Sequence, residues 1–262
     1  MKDQALRSPD DIVHALSIGG AQPQVLRRRD AATGEAFGPG NLAVYFLRYQ
    51  NDTARFAAAS GQERRNALDL HYSGTAGPID FDAEAMGQQG EIENRPVLAW
   101  AFGGRAGYTF QNEPWTPHLY LQVDAASGNT SRNGTFGTFN PLFPNGYYFP
   151  LAGLTTYANL MHMKPVISFM PDRTLTLQAA VGFQWRATTQ DAIYTIPAQA
   201  LPNTAGHGSL WTAVYFQLDV TKKIDPNITL STQVVRYEVG SAIRNAGGHD
   251  TTYANVQVSL AW

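Results

Sequence analysis

The chain has 262 residues, including 24 Gly and 15 Pro, no Cys, and a formal net charge of −2. Because phosphate neutralisation requires clustered Lys and Arg, this near-neutral balance predicts that nucleic acid is not a partner. The lack of cysteine excludes a thiol nucleophile and a Cys-ligated zinc site, and no stretch reaches the roughly 20 apolar residues of a transmembrane helix.

The first 41 residues form an uncertain leader. They lack the unbroken apolar core of a secretory signal peptide, and their alternation predicts at most one partial strand, at residues 12–20. Residues 42–262 differ clearly from this leader and are interpreted as a single strand-rich unit.

From residue 42 onward, apolar and polar residues alternate with the period of two that is typical of strands. The pattern is clearest where Leu177, Val181 and Phe183 share one face and Gln178 and Gln184 share the other. About ten strands follow from this pattern, and many reach the length at which a tilted strand crosses a bilayer. They lie at residues 42–50, 66–73, 79–84, 97–110, 118–124, 160–170, 175–187, 210–220, 228–239, with a bulge near Val234, and 251–262.

The connections between these strands alternate in length. Short ones are predicted at residues 73–78, 111–116, 171–174 and 221–227, and longer ones at 51–64, 87–96, 125–159, 188–208 and 240–250. Such parity is typical of outer-membrane barrels, which have short periplasmic turns and long outer loops. A soluble sandwich has no reason to keep it.

The segment "GTFGTFNPLFPNGYYFP", residues 134–150, has six aromatic rings and no charge within the longest of these loops. One hypothesis is that it folds over or into the mouth of a barrel and narrows the pore, while the alternative is that its rings cover the rim. The candidate pore-loop residues are Phe139, Asn140, Pro141, Phe143 and Pro144.

The polar face of the strands carries the candidate substrate path. Alternation alone does not say which face meets water, so a soluble ligand-binding sandwich or barrel stays open as an alternative. In a membrane barrel the polar face lines the lumen. For an acidic polysaccharide, cationic side chains of the wall would bind the carboxylates of the substrate, and acidic side chains of the wall would keep that binding weak. The predicted lumen residues are Arg48, Arg105, Lys164, Arg186, Arg236, Asp82, Glu84 and Asp124.

Several motifs occur in a recognisable order: "GQERRNAL" at residues 61–68, "FDAEAMGQQG" at 81–90, "DAASG" at 124–128, "GTFNPLFPNGYYF" at 137–149, and "FQWR" with "DAIY" at 183–194. Together they resemble the alginate-export family of outer-membrane barrels over residues 42–262. The resemblance implies an all-β, antiparallel up-and-down transmembrane barrel, of which this chain is the C-terminal part of about 18 strands.

The resemblance also implies a function. It predicts a channel of the bacterial outer membrane, embedded in lipid, for passive export of an acidic polysaccharide such as alginate, with periplasmic partners unspecified. The alternative within the class is a general or small-anion porin. A barrel of about ten strands is largely filled by its own side chains, so an incomplete barrel is expected.

Catalysis is not expected. The six histidines are scattered without a Ser or Asp motif that would form a triad. Asp80, Asp82 and Glu84 share one face of one strand at about 7 Å spacing, but no other ligand converges on them in the sequence. The chain is therefore predicted to have no enzymatic activity, cofactor or metal.

Overall fold

The computed structural model describes residues 30–31, 35–142, 154–196 and 198–261, with the backbone alone for residues 30, 31 and 35–37. The elements are β1 Asp30–Ala31, β2 Glu35–Phe37, β3 Gly40–Arg55, β4 Ser60–Ala76, β5 Ile79–Ile92, β6 Arg95–Thr109, β7 His118–Ala126, β8 Leu160–Asp172, β9 Leu175–Trp185, β10 Tyr194–Thr195, β11 Gln199–Ala200, β12 Trp211–Asp225, β13 Ile228–Val239, α1 Ser241–Asn245 and β14 Thr251–Leu260. The predicted partial strand at 12–20 and the terminal Trp262 lie outside the described residues.

The ten long strands form one antiparallel sheet in which strands that follow each other in sequence lie side by side. The order is β3-β4-β5-β6-β7-β8-β9-β12-β13-β14, and the short β1 and β2 pair with the other side of β3. The strand pair β10–β11 lies apart from this sheet. This up-and-down arrangement confirms the all-β prediction, because a period-two pattern in consecutive segments specifies consecutive antiparallel strands.

The two faces of the sheet have opposite polarity. We call inner the face on which the long loops pack, and its side chains include Gln122, Gln184 and Gln217, all of which are buried. The opposite, outer face is apolar and exposed; Leu98 is 68% exposed and Leu218 is 60% exposed. A soluble sandwich hides its apolar face, so the observed polarity is that of a sheet whose outer face meets lipid.

The turns at one end of the sheet are short, as predicted. Residues 77–78, 173–174 and 226–227 join β4 to β5, β8 to β9 and β12 to β13, and residues 110–117 form a somewhat longer connection between β6 and β7. At the other end, residues 127–159, 186–210 and 240–250 are long connections, also as predicted.

Two predicted long loops are wrong. Residues 51–64 are mostly strand, with only residues 56–59 between β3 and β4. Residues 87–96 contain a two-residue turn, in which Glu93 and Asn94 have φ of 46° and 65°. Two consecutive residues with positive φ match the right-handed twist of a hairpin, which lets β5 and β6 continue to the turn. The strands β3 to β6 are therefore 14 to 17 residues long.

The bulge predicted near Val234 is also absent. Within the described pairings, β13 runs in unbroken register with β14 from Ile228 to Tyr237. The pairing of β13 with β12 has one shift, between Lys223 and Asp225, which is far from Val234. An unbroken register keeps every second residue on one face, so the side chains beyond Val234 do not change sides.

The sheet is open over the described residues, since β3 and β14 do not pair with each other there. This openness agrees with the predicted incomplete barrel. Among the same residues, no helix has the length and apolar composition needed to cross a membrane.

Candidate channel lumen

The inner face carries a row of charged and polar side chains across four neighbouring strands. Asp82 on β5 pairs with Arg105 on β6, which pairs with Gln122 on β7, which pairs with Lys164 on β8. Residues directly opposite in register project to the same face, so these side chains form a continuous polar strip. Arg105 Nη2 lies 3.9 Å from Asp82 Oδ2, and the Arg105 side chain is 55% exposed.

Five of the eight predicted lumen residues lie on the inner face. They are Arg105, Lys164, Asp82, Glu84 and Asp124. Lys164 is buried and interacts electrostatically with Asp124 and Asp219. Whether these residues contact a substrate stays a prediction.

Two predicted lumen residues, Arg48 and Arg236, lie on the outer face instead. Arg48 pairs with Asn66, on the same face as the exposed Leu68, and Arg236 pairs with the exposed Phe216. The placement of Arg236 inside was wrong because it depended on the bulge that the structure lacks. Arg48 was assigned to the wrong side of β3, where a one-residue error in parity exchanges the two faces.

The remaining predicted lumen residue, Arg186, is buried beneath the loop of residues 186–196 and 198–210, here called the second loop. Its guanidinium donates to the backbone carbonyl oxygens of Ser209, at 3.0 Å, and of Thr204 and His207. Arg186 is 1% exposed. The structure therefore places this cation within the loop packing rather than on the open wall.

A buried hydrogen-bonded chain crosses the inner face of β7, β8 and β12. The Asp124 carboxylate accepts from Tyr157 Oη at 2.7 Å and contacts His162 Nδ1 at 2.7 Å, while His162 Nε2 lies 2.9 Å from Tyr215 Oη. A Cβ at Gly182 would overlap the Tyr215 ring, so only glycine leaves room for that ring over β9. The chain joins Tyr157, from a connecting loop, to the wall.

The loop between β7 and β8, of which residues 127–142 and 154–159 are described, packs on the inner face and is here called the inner loop. Phe136 forms a parallel bridge with Val97 on β6 and is fully buried. Its ring lies 5.2 Å from that of Phe56, in the turn between β3 and β4. The apolar contacts of this loop thus lie on the inner face of the sheet.

An ion pair on β4 holds the inner loop by hydrogen bonds. Arg65 Nε donates to Glu63 Oε1 at 2.6 Å, and Arg65 Nη1 donates to the Thr138 carbonyl oxygen at 2.9 Å. Asn140 Nδ2 donates to Glu63 Oε2 at 3.0 Å, and Gln88 Nε2 donates to the Asn140 carbonyl oxygen at 2.7 Å. Buried charges require pairing and hydrogen bonds to be stable, and this arrangement supplies them to the Glu63 carboxylate and to Arg65 Nε and Nη1.

Asp191 connects the second loop to the inner loop. Its Oδ2 accepts from Asn129 N at 2.7 Å and Thr138 Oγ1 at 2.6 Å, and its Oδ1 accepts from Ala192 N and Tyr194 Oη, both at 2.8 Å. Burial raises the pKa of Tyr194 far above its usual value, and the neighbouring carboxylate adds to the rise. The donors from Asn129 and Thr138 join the inner loop to this carboxylate, while those from Ala192 and Tyr194 hold the carboxylate within the second loop.

Three of the predicted pore-loop residues, Phe139, Asn140 and Pro141, are buried in the inner loop. Phe143 and Pro144 lie outside the described residues. Sequence analysis missed Glu63, Arg65 and Asp191. Glu63 and Arg65 lie two residues apart, a spacing that indicates one strand face, but the predicted strand begins only at residue 66.

The polar inner face, the exposed apolar outer face and the inward-folded loops together define the wall of an outer-membrane β-barrel. The family model for alginate export matches residues 31–257. The chain therefore belongs to the alginate-export family of outer-membrane proteins, which are transport channels. No curated protein matches the chain.

Proposed function

We propose that the protein lines a passive channel of the bacterial outer membrane through which an acidic polysaccharide of the alginate type is exported. The observation that carries this proposal is the inner face itself: charged side chains lie beneath inward-folded loops, opposite an apolar exposed face. Family membership supports polysaccharide transport as the class of activity.

Arg105 is the residue best placed to meet a uronate polymer. Its guanidinium is more than half exposed on the inner face, and a planar guanidinium binds a carboxylate through two parallel hydrogen bonds. Asp82 on the neighbouring strand limits how tightly an anion binds there, because passage requires a site that releases its substrate.

Block of single-channel current by uronate oligosaccharides in planar bilayers tests this assignment. We expect Arg105→Ala to raise the half-blocking concentration about tenfold, equivalent to roughly 1.4 kcal/mol. Arg48→Ala is the matched control, since it removes the same charge from the outer face, and block should stay unchanged. Equal effects of the two substitutions would remove Arg105 from the path, and equal block by neutral oligosaccharides would favour a general porin.

We further propose that the inner loop narrows the pore as a fixed constriction. Phe139 is buried against apolar residues of the wall, and Asn140 is hydrogen-bonded to Glu63 and Gln88 of the wall, which favours a static element over a mobile gate. Deleting residues 137–142 should raise single-channel conductance. An unchanged conductance in a folded variant would assign these residues to the rim.

Location in the membrane is testable because the chain has no native cysteine. Arg105 and Ala106 are neighbours on β6 with opposite faces, and Ala106 pairs with the exposed Leu121. In outer-membrane vesicles, Arg105→Cys should react with a charged thiol reagent while Ala106→Cys stays protected by lipid. Equal labelling at both positions would contradict insertion.

A further inference from the structure

Two histidine side chains lie on the inner face beside the carboxylates of β5, and neither is used in the proposed substrate contact. His71 Nε2 lies 3.0 Å from Asp82 Oδ1, and His118 Nε2 lies 2.6 Å from Asp80 Oδ2. All four side chains are between 23% and 31% exposed. Solvent therefore reaches both contacts, unlike the fully buried His162.

The surroundings of His71 are acidic. It faces Asp82 and Glu84 on β5 and Asp69 on its own strand, and it interacts electrostatically with all three. Arg105 pairs with Asp82 in the sheet register and lies 3.9 Å from it, and Arg105 also interacts electrostatically with Lys164 on β8. A proton gained by His71 therefore changes the net charge of an acidic patch that lies beside these cations.

His118 reaches Asp80 across the intervening strand β6. A Cβ at Gly107 would overlap His118 Nε2 and approach Asp80 Oδ2, so the missing side chain opens the gap through which the two groups meet. The His118 ring lies 5.3 Å from that of Tyr120 on the same strand, and its partner in register on β8 is the uncharged Ser168. Asp80 is thus the charged group that His118 contacts.

We propose that His71 and His118 set the charge selectivity of the lumen. With both imidazoles neutral, the carboxyl groups of Asp69, Asp80, Asp82 and Glu84 outnumber the Arg105 guanidinium, and the patch is net negative. Protonation of both imidazoles adds two positive charges and offsets most of this excess. Since an acidic wall repels anions, the pore admits an anionic polymer more readily at mildly acidic pH.

This inference rests on the proposed channel function and predicts a specific pH response. Histidine ordinarily titrates near pH 6.5, so lowering the pH from about 7.5 to about 5.5 spans its ordinary titration range. The measurement is the chloride-to-potassium permeability ratio of the protein in planar bilayers, from the reversal potential in a KCl gradient. We expect the ratio to rise at least about twofold over this pH range.

The variant His71→Gln/His118→Gln should lose this rise, because glutamine keeps hydrogen-bonding capacity but does not titrate. His249→Gln is the matched control, since His249 is an exposed histidine in the loop between β13 and β14, and it should keep the rise. Asp80→Asn/Asp82→Asn provides a second route, and it should raise the permeability ratio at pH about 7.5 to the value of the wild type at acidic pH. Heat-modifiable migration on gels identifies the folded variants.

The outcomes separate the two proposals. A conducting wild type whose selectivity ignores pH, or a double histidine variant that responds like the wild type, overturns the role of His71 and His118 and leaves the channel function intact. A protein that inserts into bilayers but conducts no ions overturns both.

Discussion

Replacing Asp191 with asparagine removes the negative charge that joins the inner loop to the second loop. The carboxylate accepts four hydrogen bonds, two on each oxygen. Asparagine keeps one carbonyl oxygen and turns an NH2 group toward the other two donors, so at least two charge-assisted bonds are lost. The overall size and shape of the side chain stay the same.

The magnitude follows from the number of bonds lost. A hydrogen bond to a charged group contributes about 1.5–3 kcal/mol, so two lost bonds lower the free energy of local loop opening by about 3–6 kcal/mol. Even the lower value increases the open population by more than about 100-fold. The sheet should stay folded, because its backbone hydrogen bonds do not involve this carboxylate.

Amide hydrogen exchange in detergent micelles measures the opening directly. We expect the backbone amides of Asn129 and Ala192, which donate to Asp191, to exchange at least about 100 times faster in Asp191→Asn. Asp52→Asn is the matched control, since Asp52 accepts from Gln50 and Gln62 at an exposed site. Exchange within about threefold of the wild type at both amides would refute the stabilising role of the carboxylate.

Two further predictions concern a close contact and a loop. Gly182→Ala should destabilise the protein by about 1–3 kcal/mol, because the added methyl group overlaps the Tyr215 ring. The loss should be seen as a lower temperature at which the protein shifts its migration on gels. Adding Tyr215→Leu to Gly182→Ala should restore part of the lost stability, and no recovery would contradict the overlap. The pKa of Asp250 is lowered by its hydrogen bond from Arg244 and by the Val239 amide, so its contribution to loop stability is complete above the unfolded pKa and is lost as the pH falls through the lowered one. Exchange at residues 240–250, corrected for intrinsic rates, should therefore accelerate below about pH 4 in the wild type, whereas Asp250→Asn should show no such pH response.

The strands, and the residues that share a face of each strand, could be predicted from the sequence because side-chain alternation is a local property. The pattern within one segment predicts that Leu177 and Gln178 lie on opposite faces, and the register confirms that they lie on opposite sides of β9. For Arg48 and Arg236, an error of one residue in the alternation assigned the side chain to the inner face, whereas it lies on the outer face.

The contacts of the loops could not be predicted in the same way. Asp191 and Asn129 are 62 residues apart, and Arg65 and Thr138 are 73 residues apart. No local sequence pattern shows that a carboxylate will accept hydrogen bonds from another loop. Glu63 and Arg65 were not predicted as site residues for a different reason. The polar composition of residues 51–64 indicated a loop, whereas the strands continue through most of this stretch.

The same long separations have a consequence for the order of folding. The contacts of Arg65 with Thr138 and of Asp191 with Asn129 form only when distant parts of the chain are already aligned, because the two residues of each contact are 73 and 62 positions apart. Closing so large a stretch of chain costs entropy before any contact forms, which makes such contacts late events in assembly. The loops that pack on the inner face therefore reach their final contacts after the sheet has formed.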